Sequence, residues 1–435
     1  MSFLERQFKL QKNHTTVKTE IIAGVTTFMT MAYIIFVNPS VLSATGMPAD
    51  AIMAATCISA ALATFLMAFL ANYPIALAAG MGLNFFFAFS VVLNPDKGMT
   101  WQMALAAIFI GGVIFMLLAL TKLRDTIVNT IPKSLKIGIS SGIGLLIAFV
   151  GLQSAGIVVA DQTTLVKLCS FKGNATAILA MAGLILMVTL ECYKIAGGIL
   201  IGIFIMTAVG VPLGMVRLVD SFVSAPPSVA PIFMSFDFSK IGDSGFWLVV
   251  FTFFFIHFFD AVGTLVGVCN RGGLLDKNGR LLNAKGALMA NAIGTVAGSV
   301  LGTSTVTSYV ESASGIAQGG RTGLTAVVTG ILFLAALFFS PLVGIIPAYA
   351  TAPALIMVGI YMMMGMRDLD FDEWTEFTPS ALAFFIIPLS YDIAVGIEFG
   401  VVSYVVLKIM TGKFKNVSWV MVGLTTLFIF KELYI

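Results

Sequence analysis

The sequence runs to 435 residues, of which 59% are hydrophobic and only 10% charged. A soluble chain of this length carries about a quarter charged residues, so a water-soluble globular domain is excluded and a polytopic membrane protein is expected. The net charge of +3 is too small to point to nucleic acid, and Cys57, Cys169, Cys192 and Cys269 show neither metal-ligand spacing nor a disulfide framework.

The chain opens on a basic, polar segment, 1–20, in which Met1–Thr19 has no apolar stretch followed by a small-residue cleavage site, so no cleavable signal peptide is expected. Apolar segments follow at 21–37, 51–70, 75–93, 101–120, 134–151, 176–192, 196–216, 245–268, 284–301, 305–318, 322–340, 350–366, 378–390 and 392–411. Each is near the ~20 residues that a spanning helix needs, and some are shorter. A further stretch, 417–430, is left over; Trp419 suits either an interfacial position or packing on the bundle.

Lys and Arg favour the cytoplasmic side. With the N-terminus inside and the spans alternating, eighteen of them fall in inside loops, among them Lys122, Arg124, Lys277 and Arg280, and five (Lys97, Lys167, Lys172, Arg217 and Lys240) fall outside. That bias supports fourteen spans with both termini cytoplasmic. The outside segment 217–244 carries Pro226, Pro227 and Pro231 and joins two groups of seven spans. An odd number of spans per repeat makes the second copy inverted, a common transporter architecture. At an offset of 231 residues, Ala63-Thr64 meets Gly294-Thr295 and Gly80 meets Glu311.

Span 3, NYPIALAAGMGLNFFFAF, is broken near its start by Pro74, Gly80 and Gly82. Span 10 lies in GTSTVTSYVESASGIAQGGRTG (302–323), rich in Ser, Thr and Gly and carrying Glu311. Irregular backbone at membrane depth is tolerated only where it lines a protein-enclosed cavity, and short, Gly-interrupted segments of this kind point to the binding site of a secondary transporter.

In span 8, Phe253, His257, Asp260, Thr264 and Gly267 step by three or four and share one helix face. An intramembrane carboxylate is a functional-site candidate by default; the competing role for Asp260 is neutralising a cation or capping a broken helix, and no Lys or Arg lies near it in the neighbouring spans. Glu311 is the second candidate, its competing role being to cap a half-helix. Two carboxylates in a dry cavity without partner cations are rarely both ionised, so a proton leaving and rejoining one of them is the simplest coupling device. His257 reads first as a packing histidine, with proton shuttling as the alternative. Asn84 either meets a ligand or bridges helices. Thr30 and Tyr33 of span 1 face the same cavity or bond across helices, and Arg321 reads as an interface anchor.

Together, VTTFMTMAYIIFVNP in span 1, AAGMGLNFFFAF in span 3, FFDAVGTLVGV in span 8 and TSTVTSYVESASGIAQGGRTGLT in span 10 resemble the AzgA-like purine permeases of the nucleobase:cation symporter group. The resemblance covers nearly the whole chain. It implies an all-α, uracil-permease-type fold of seven plus seven inverted spans, in which spans 3 and 10 each begin as a short strand and finish as a half-helix. It implies a core domain of 21–120 and 245–340 and a gate domain of 134–216 and 350–411, with 217–244 between the repeats and 412–435 as a C-terminal apolar segment. Uracil-type relatives carry Glu-His-x-Gly-His in span 8, where this chain reads Asp260-Ala261-Val262-Gly263-Thr264. The resemblance thus gives Asp260 the base-binding role, while Thr264 in place of the second His departs from the family's His-linked proton route. Their Tyr-Gly-Glu in span 10 reads Tyr309-Val310-Glu311 here, making Glu311 the second base-binding carboxylate. In span 3 an aromatic contact falls near Leu83–Phe85, and Phe85 and Phe86 are candidates to stack on a flat ring.

The expected function is therefore inner-membrane import of purine bases (adenine, guanine, hypoxanthine) by proton symport, with the core moving against the gate. No cofactor is expected beyond the proton as coupling ion; the partners are the base and the bilayer, with homodimers through the gate domain common in the family. An anion carrier of the sulfate-permease type is the alternative, against which Glu311 stands where such carriers often have a basic residue. A membrane enzyme is the reading from another class; with only His14 and His257 and no Cys/His cluster, no metal site is expected.

Overall fold

The computed structural model describes residues 3–121, 132–216, 221–275 and 281–434. Lys122, Arg124, Arg217, Lys277 and Arg280 of the charge count lie outside the described residues, as do the first four positions of the 217–244 segment and the extreme ends of the chain.

The chain is mostly helical. A short α1 (Phe3–Phe8) precedes α2 (Val17–Met31), α3 (Ile34–Leu42) and α4 (Ala49–Leu66). Strand β1 (Leu77–Ala79) leads into α5 (Met81–Phe85), whose path continues in wider turns to Val92. Then come α6 (Trp101–Leu120), α7 (Lys133–Ser154), the hairpin β2 (Val158–Asp161) and β3 (Leu165–Leu168), α8 (Ala175–Cys192) and α9 (Gly198–Gly210). The second half runs α10 (Ser244–Arg271), α11 (Ala284–Leu301), β4 (Val306–Ser308), α12 (Ser312–Ala317) and α13 (Gly323–Ala336). It ends with α14 (Pro341–Ile345), α15 (Ala348–Met363), α16 (Trp374–Ser390), α17 (Ile393–Met410) and α18 (Trp419–Tyr434). Among the described residues, eight helices are long and apolar enough to cross a membrane.

Polar residues between the apolar runs start the helices. Thr16, Thr100, Asp243, Asn283, Thr322 and Asp392 each accept a backbone N–H of the first turn of α2, α6, α10, α11, α13 and α17. Each such cap satisfies a donor that the helix cannot pair itself. Span 1 departs from the 21–37 expectation: the helix begins at Val17 and breaks at Ala32-Tyr33 before α3. The polar opening segment is also not all free, since Phe8 and Leu10 are buried in a cluster with Ala68, Leu324 and Ala326.

The chain divides into two units, 1–121 with 175–354, and 122–174 with 355–435. Residues 175–216, read from the sequence as gate, group with the first unit in this division. Within that unit, Phe204 of α9 meets Phe36 of α3 edge-on at 5.6 Å.

At the centre of the first unit β1 and β4 pair antiparallel, Leu77 opposite Ser308, Ala78 opposite Thr307 and Ala79 opposite Val306. Both strands are fully buried, where each unpaired backbone group costs several kcal/mol. Threonines on the preceding helices cover the groups that the partner strand leaves bare. Thr64 Oγ1 accepts from Leu77 N (2.9 Å) and donates to Leu77 O (3.1 Å); Thr295 Oγ1 accepts from Val306 N (3.0 Å) and donates to Val306 O (3.0 Å). The two helices end alike, in left-handed residues, Asn72 (φ 55°) after α4 and Gly302 (φ 93°) after α11. A Cβ on Gly294 would stand 2.7 Å from Ala63 Cβ, so the residues aligned at the 231 offset pack against each other.

The second unit is built on α7, α16 and α17. Lys408 is buried at 2% exposure and makes an ion pair with Glu376 Oε1 at 2.7 Å. Its Nζ also donates to Thr375 Oγ1 (2.8 Å), and Ser134 and Tyr404 hydroxyls donate to the Glu376 carboxylate. Lys408→Ala leaves that carboxylate without its cation and is expected to cost about 3–5 kcal/mol. Lys413→Ala removes an exposed partner of Glu373 and should leave stability nearly unchanged. Thermal unfolding of the two variants in detergent checks the contrast.

Candidate functional site

The site forms where the β1–β4 pair meets α10, α12 and the end of α2. Asp260 lies within α10, half-buried, and its Oδ2 accepts a hydrogen bond from Thr307 Oγ1 of β4 at 2.9 Å. Thr264 is one turn further on, half-buried, and Gly263 and Gly267 beside it are exposed. Glu311 immediately precedes α12 and is half-buried. Tyr33 Oη donates to Glu311 Oε1 at 2.7 Å, and Thr30 Oγ1 donates to the Glu311 carbonyl at 3.4 Å and more tightly to Thr27 O at 2.9 Å. Tyr309 is buried and lies in the chain between Thr307, which bonds Asp260, and Glu311; its hydroxyl donates to Ala79 O (2.5 Å) and its N–H donates to Ala76 O (3.0 Å). Val310 is exposed at 51%. The structure thus gathers Asp260, Thr264, Tyr309, Val310, Glu311, Thr30 and Tyr33 in the same unit around the strand pair.

The span 3 candidates sit differently. Asn84 is fully buried. Its Nδ2 donates to Asn38 Oδ1 (2.6 Å), its Oδ1 accepts from Ser304 Oγ, and Asn38 in turn donates to Thr56 and Thr303. Of the two roles left open for Asn84, bridging between elements is what these bonds do. Leu83, Phe85 and Phe86 are buried; Phe85 stacks on Phe89 at 5.6 Å and Phe86 meets Phe253 edge-on at 4.9 Å.

His257 is buried against the edge of Phe115 (4.9 Å), with Nε2 3.0 Å from Val306 O. A carbonyl only accepts, so the ring proton sits on Nε2. Thr295 Oγ1 donates to the same carbonyl, and His257 thereby helps fix β4.

Several residues that shape the site carry no local sequence signal. Thr307 holds Asp260. Asn291 of α11 accepts from Ser308 N (2.9 Å), and Ser312 Oγ accepts from Ala76 N (3.0 Å), tying the strands to α11 and α12. Glu20, read as the last residue of the opening segment, is fully buried in the first turn of α2. Its carboxylate accepts from Arg321 N (2.9 Å), Thr322 N (3.3 Å), Thr325 N (3.1 Å) and Thr325 Oγ1 (2.6 Å), so it caps α13 across 301 to 305 positions of sequence. Arg321, expected as an interface anchor, donates from Nη1 to Ile316 O and Gly320 O, both at 2.8 Å, and covers the end of α12. From Glu20 to Met31, α2 therefore runs as a splint along α12 and α13, with Tyr33 just beyond its end.

Two paired strands each lead into a short helix, and both carboxylates lie at β4, Asp260 bonded to Thr307 and Glu311 at the start of α12, an arrangement that suits a membrane permease. The family model Xan_ur_permease, described as "Permease family", matches residues 18–427, and the chain belongs to that family. It is a multi-pass membrane permease, not an enzyme. It is 42% identical to the adenine permease AdeP of Escherichia coli (strain K12), over 99% of this chain and 96% of that one. It is 41% identical to the guanine/hypoxanthine permease PbuO of Bacillus subtilis (strain 168), over 98% and 100%. Among solved structures, the transmembrane domain of the cyanobacterial bicarbonate transporter BicA superposes with a TM-score of 0.65 at 16% identity, covering 87% of this chain and 97% of that one. That likeness is one of fold. The resemblance read from the four motifs is borne out.

Proposed function

We propose that the protein imports purine nucleobases (hypoxanthine, guanine and adenine) by proton symport, with Asp260 and Glu311 as the base-binding and proton-coupling carboxylates. The observation that carries this reading is the pair of half-buried carboxylates flanking Tyr309, each held by a neutral hydroxyl, Thr307 on one side and Tyr33 on the other. Each presents an acceptor to an N–H on a purine edge, and a protonated carboxyl both gives and takes a hydrogen bond. The names of the relatives, adenine permease and guanine/hypoxanthine permease, support the same substrate class. Tyr309, Val310 and Thr264 are the neighbours that a bound base meets; Thr30 acts through the Glu311 backbone. His257 serves packing in this reading, and Asn84, Leu83 and Phe85 shape the site from behind.

The proposal extends to fourteen spans in two inverted repeats of seven, with both termini cytoplasmic in the inner membrane and alternating access by core-against-gate movement. The matched clamps of Thr64 on β1 and Thr295 on β4 support the repeat, and the eighteen-to-five distribution of Lys and Arg supports the orientation. A homodimer through the gate belongs to the same proposal. The sulfate-type alternative is not favoured, because Glu311 places a carboxylate where an anion would dock.

Uptake of labelled adenine, guanine, hypoxanthine, xanthine and uracil by cells lacking their own base permeases tests the reading, at two external pH values and with an uncoupler. Purine uptake that rises at low pH and collapses with the uncoupler is expected. Sulfate uptake without base uptake would overturn the substrate class.

A further inference from the structure

We infer that Thr307 is the positioning residue of Asp260 and that the absent side chain of Gly80 is what holds Thr307 in place. The inference deepens the purine reading and rests on it. Thr307 faces Ala78 in the strand pair and is 4% exposed. Its two branches are both used. Oγ1 donates to Asp260 Oδ2 at 2.9 Å, and Cγ2 lies so close over Gly80 that a Cβ there would stand 2.9 Å from it. Real carbon atoms do not approach so closely, so a side chain at position 80 must displace the methyl. A threonine side chain has only χ1 to turn, and its staggered positions are about 120° apart. The rotation that clears the methyl takes the hydroxyl off Asp260. The other neighbours of that point, Thr305 Oγ1 at 3.5 Å and Leu83 Cδ1 at 3.8 Å, are at ordinary contact distance, so the methyl alone sets the constraint.

Such a hydroxyl suits a carboxyl group that exchanges a proton. It donates to the carboxylate and can accept from the acid, so Asp260 keeps one orientation in both states. With Oδ2 tied back to β4, Oδ1 is left to meet the base. Gly80 directly follows β1, where its N–H donates to Thr305 O at 2.9 Å, and Thr307 lies in β4, so the orientation of the Asp260 carboxylate depends on the strands keeping their register.

The test uses the full-length protein in detergent and measures both unliganded melting temperature and dissociation constants for hypoxanthine, guanine and adenine. Thr307→Val keeps the shape and removes the hydroxyl; it is expected to weaken purine binding about tenfold or more because Asp260 is no longer pre-oriented for the base, and to lower the unliganded melting temperature only slightly, by the loss of one hydrogen bond. Thr307→Ser keeps the hydroxyl and should stay within about threefold of wild type. Gly80→Ala should weaken binding as Thr307→Val does. The double variant Gly80→Ala/Thr307→Ser lacks the obstructing methyl and should recover the affinity of Thr307→Ser. Wild-type affinity in Thr307→Val, or a double variant as weak as Gly80→Ala alone, overturns the inference while leaving the purine reading intact. A wild-type protein that binds none of the three bases overturns both.

Discussion

Asp260→Asn is expected to abolish purine uptake, or reduce it to a few per cent, in a protein that still folds and reaches the membrane. Asparagine matches aspartate in size, and its amide oxygen can still accept from Thr307 Oγ1, so the α10–β4 contact survives. What is lost is the charge and the ability to take up a proton. A hydrogen bond to a charged group contributes about 1.5–3 kcal/mol, or roughly tenfold to a hundredfold in affinity, and loss of coupling comes on top of that. Uptake of labelled hypoxanthine, normalised to the amount of protein in the membrane, is the measurement. Wild-type uptake would remove Asp260 from the site.

Glu311→Gln is expected to impair uptake strongly and to change how the remaining uptake responds to external pH. Tyr33 Oη can donate to the glutamine oxygen as it does to Glu311 Oε1, and Thr30 bonds the backbone, which the substitution leaves alone. The variant should therefore keep its fold while losing the carboxylate proposed to bind the base and carry the proton. A pH series of initial uptake rates for wild type and variant decides it. Full transport with an unchanged pH profile would exclude Glu311 from both roles. Equal loss at every pH would keep it as a base ligand and leave proton coupling to Asp260.

Much of this was legible in the chain because the membrane makes polar residues conspicuous. Asp260 and Glu311 stand out against apolar spans, and the breaks at Gly80 and in the 302–311 stretch announce irregular backbone at depth. Even the faint match of Ala63-Thr64 with Gly294-Thr295 has a physical basis: both threonines clamp a strand, and Ala63 packs on Gly294. Asn84 could not be assigned from sequence, because its partners Asn38 and Ser304 come from distant segments. Thr307 was hidden among the many Ser and Thr of its stretch; only the strand register shows which of them faces Asp260. Glu20 was missed for a simpler reason. Hydropathy places the start of span 1 after it, and a carboxylate at that edge looks solvated until the fold brings Arg321, Thr322 and Thr325 over it.

Glu20 also bears on how the protein can be handled. A shortened version cut at the hydropathy boundary, just before Ile21, would look harmless because it discards only a polar tail. It would remove the acceptor that receives three backbone amides and a hydroxyl at the start of α13, and with it the apolar anchors Phe8 and Leu10. The short helix that Glu311 precedes is joined to α13 through that same short connection, so damage at the very front of the chain would reach the candidate site more than 280 residues away in sequence. Affinity tags and fusion partners are better joined ahead of residue 1 than substituted for any part of the first twenty positions.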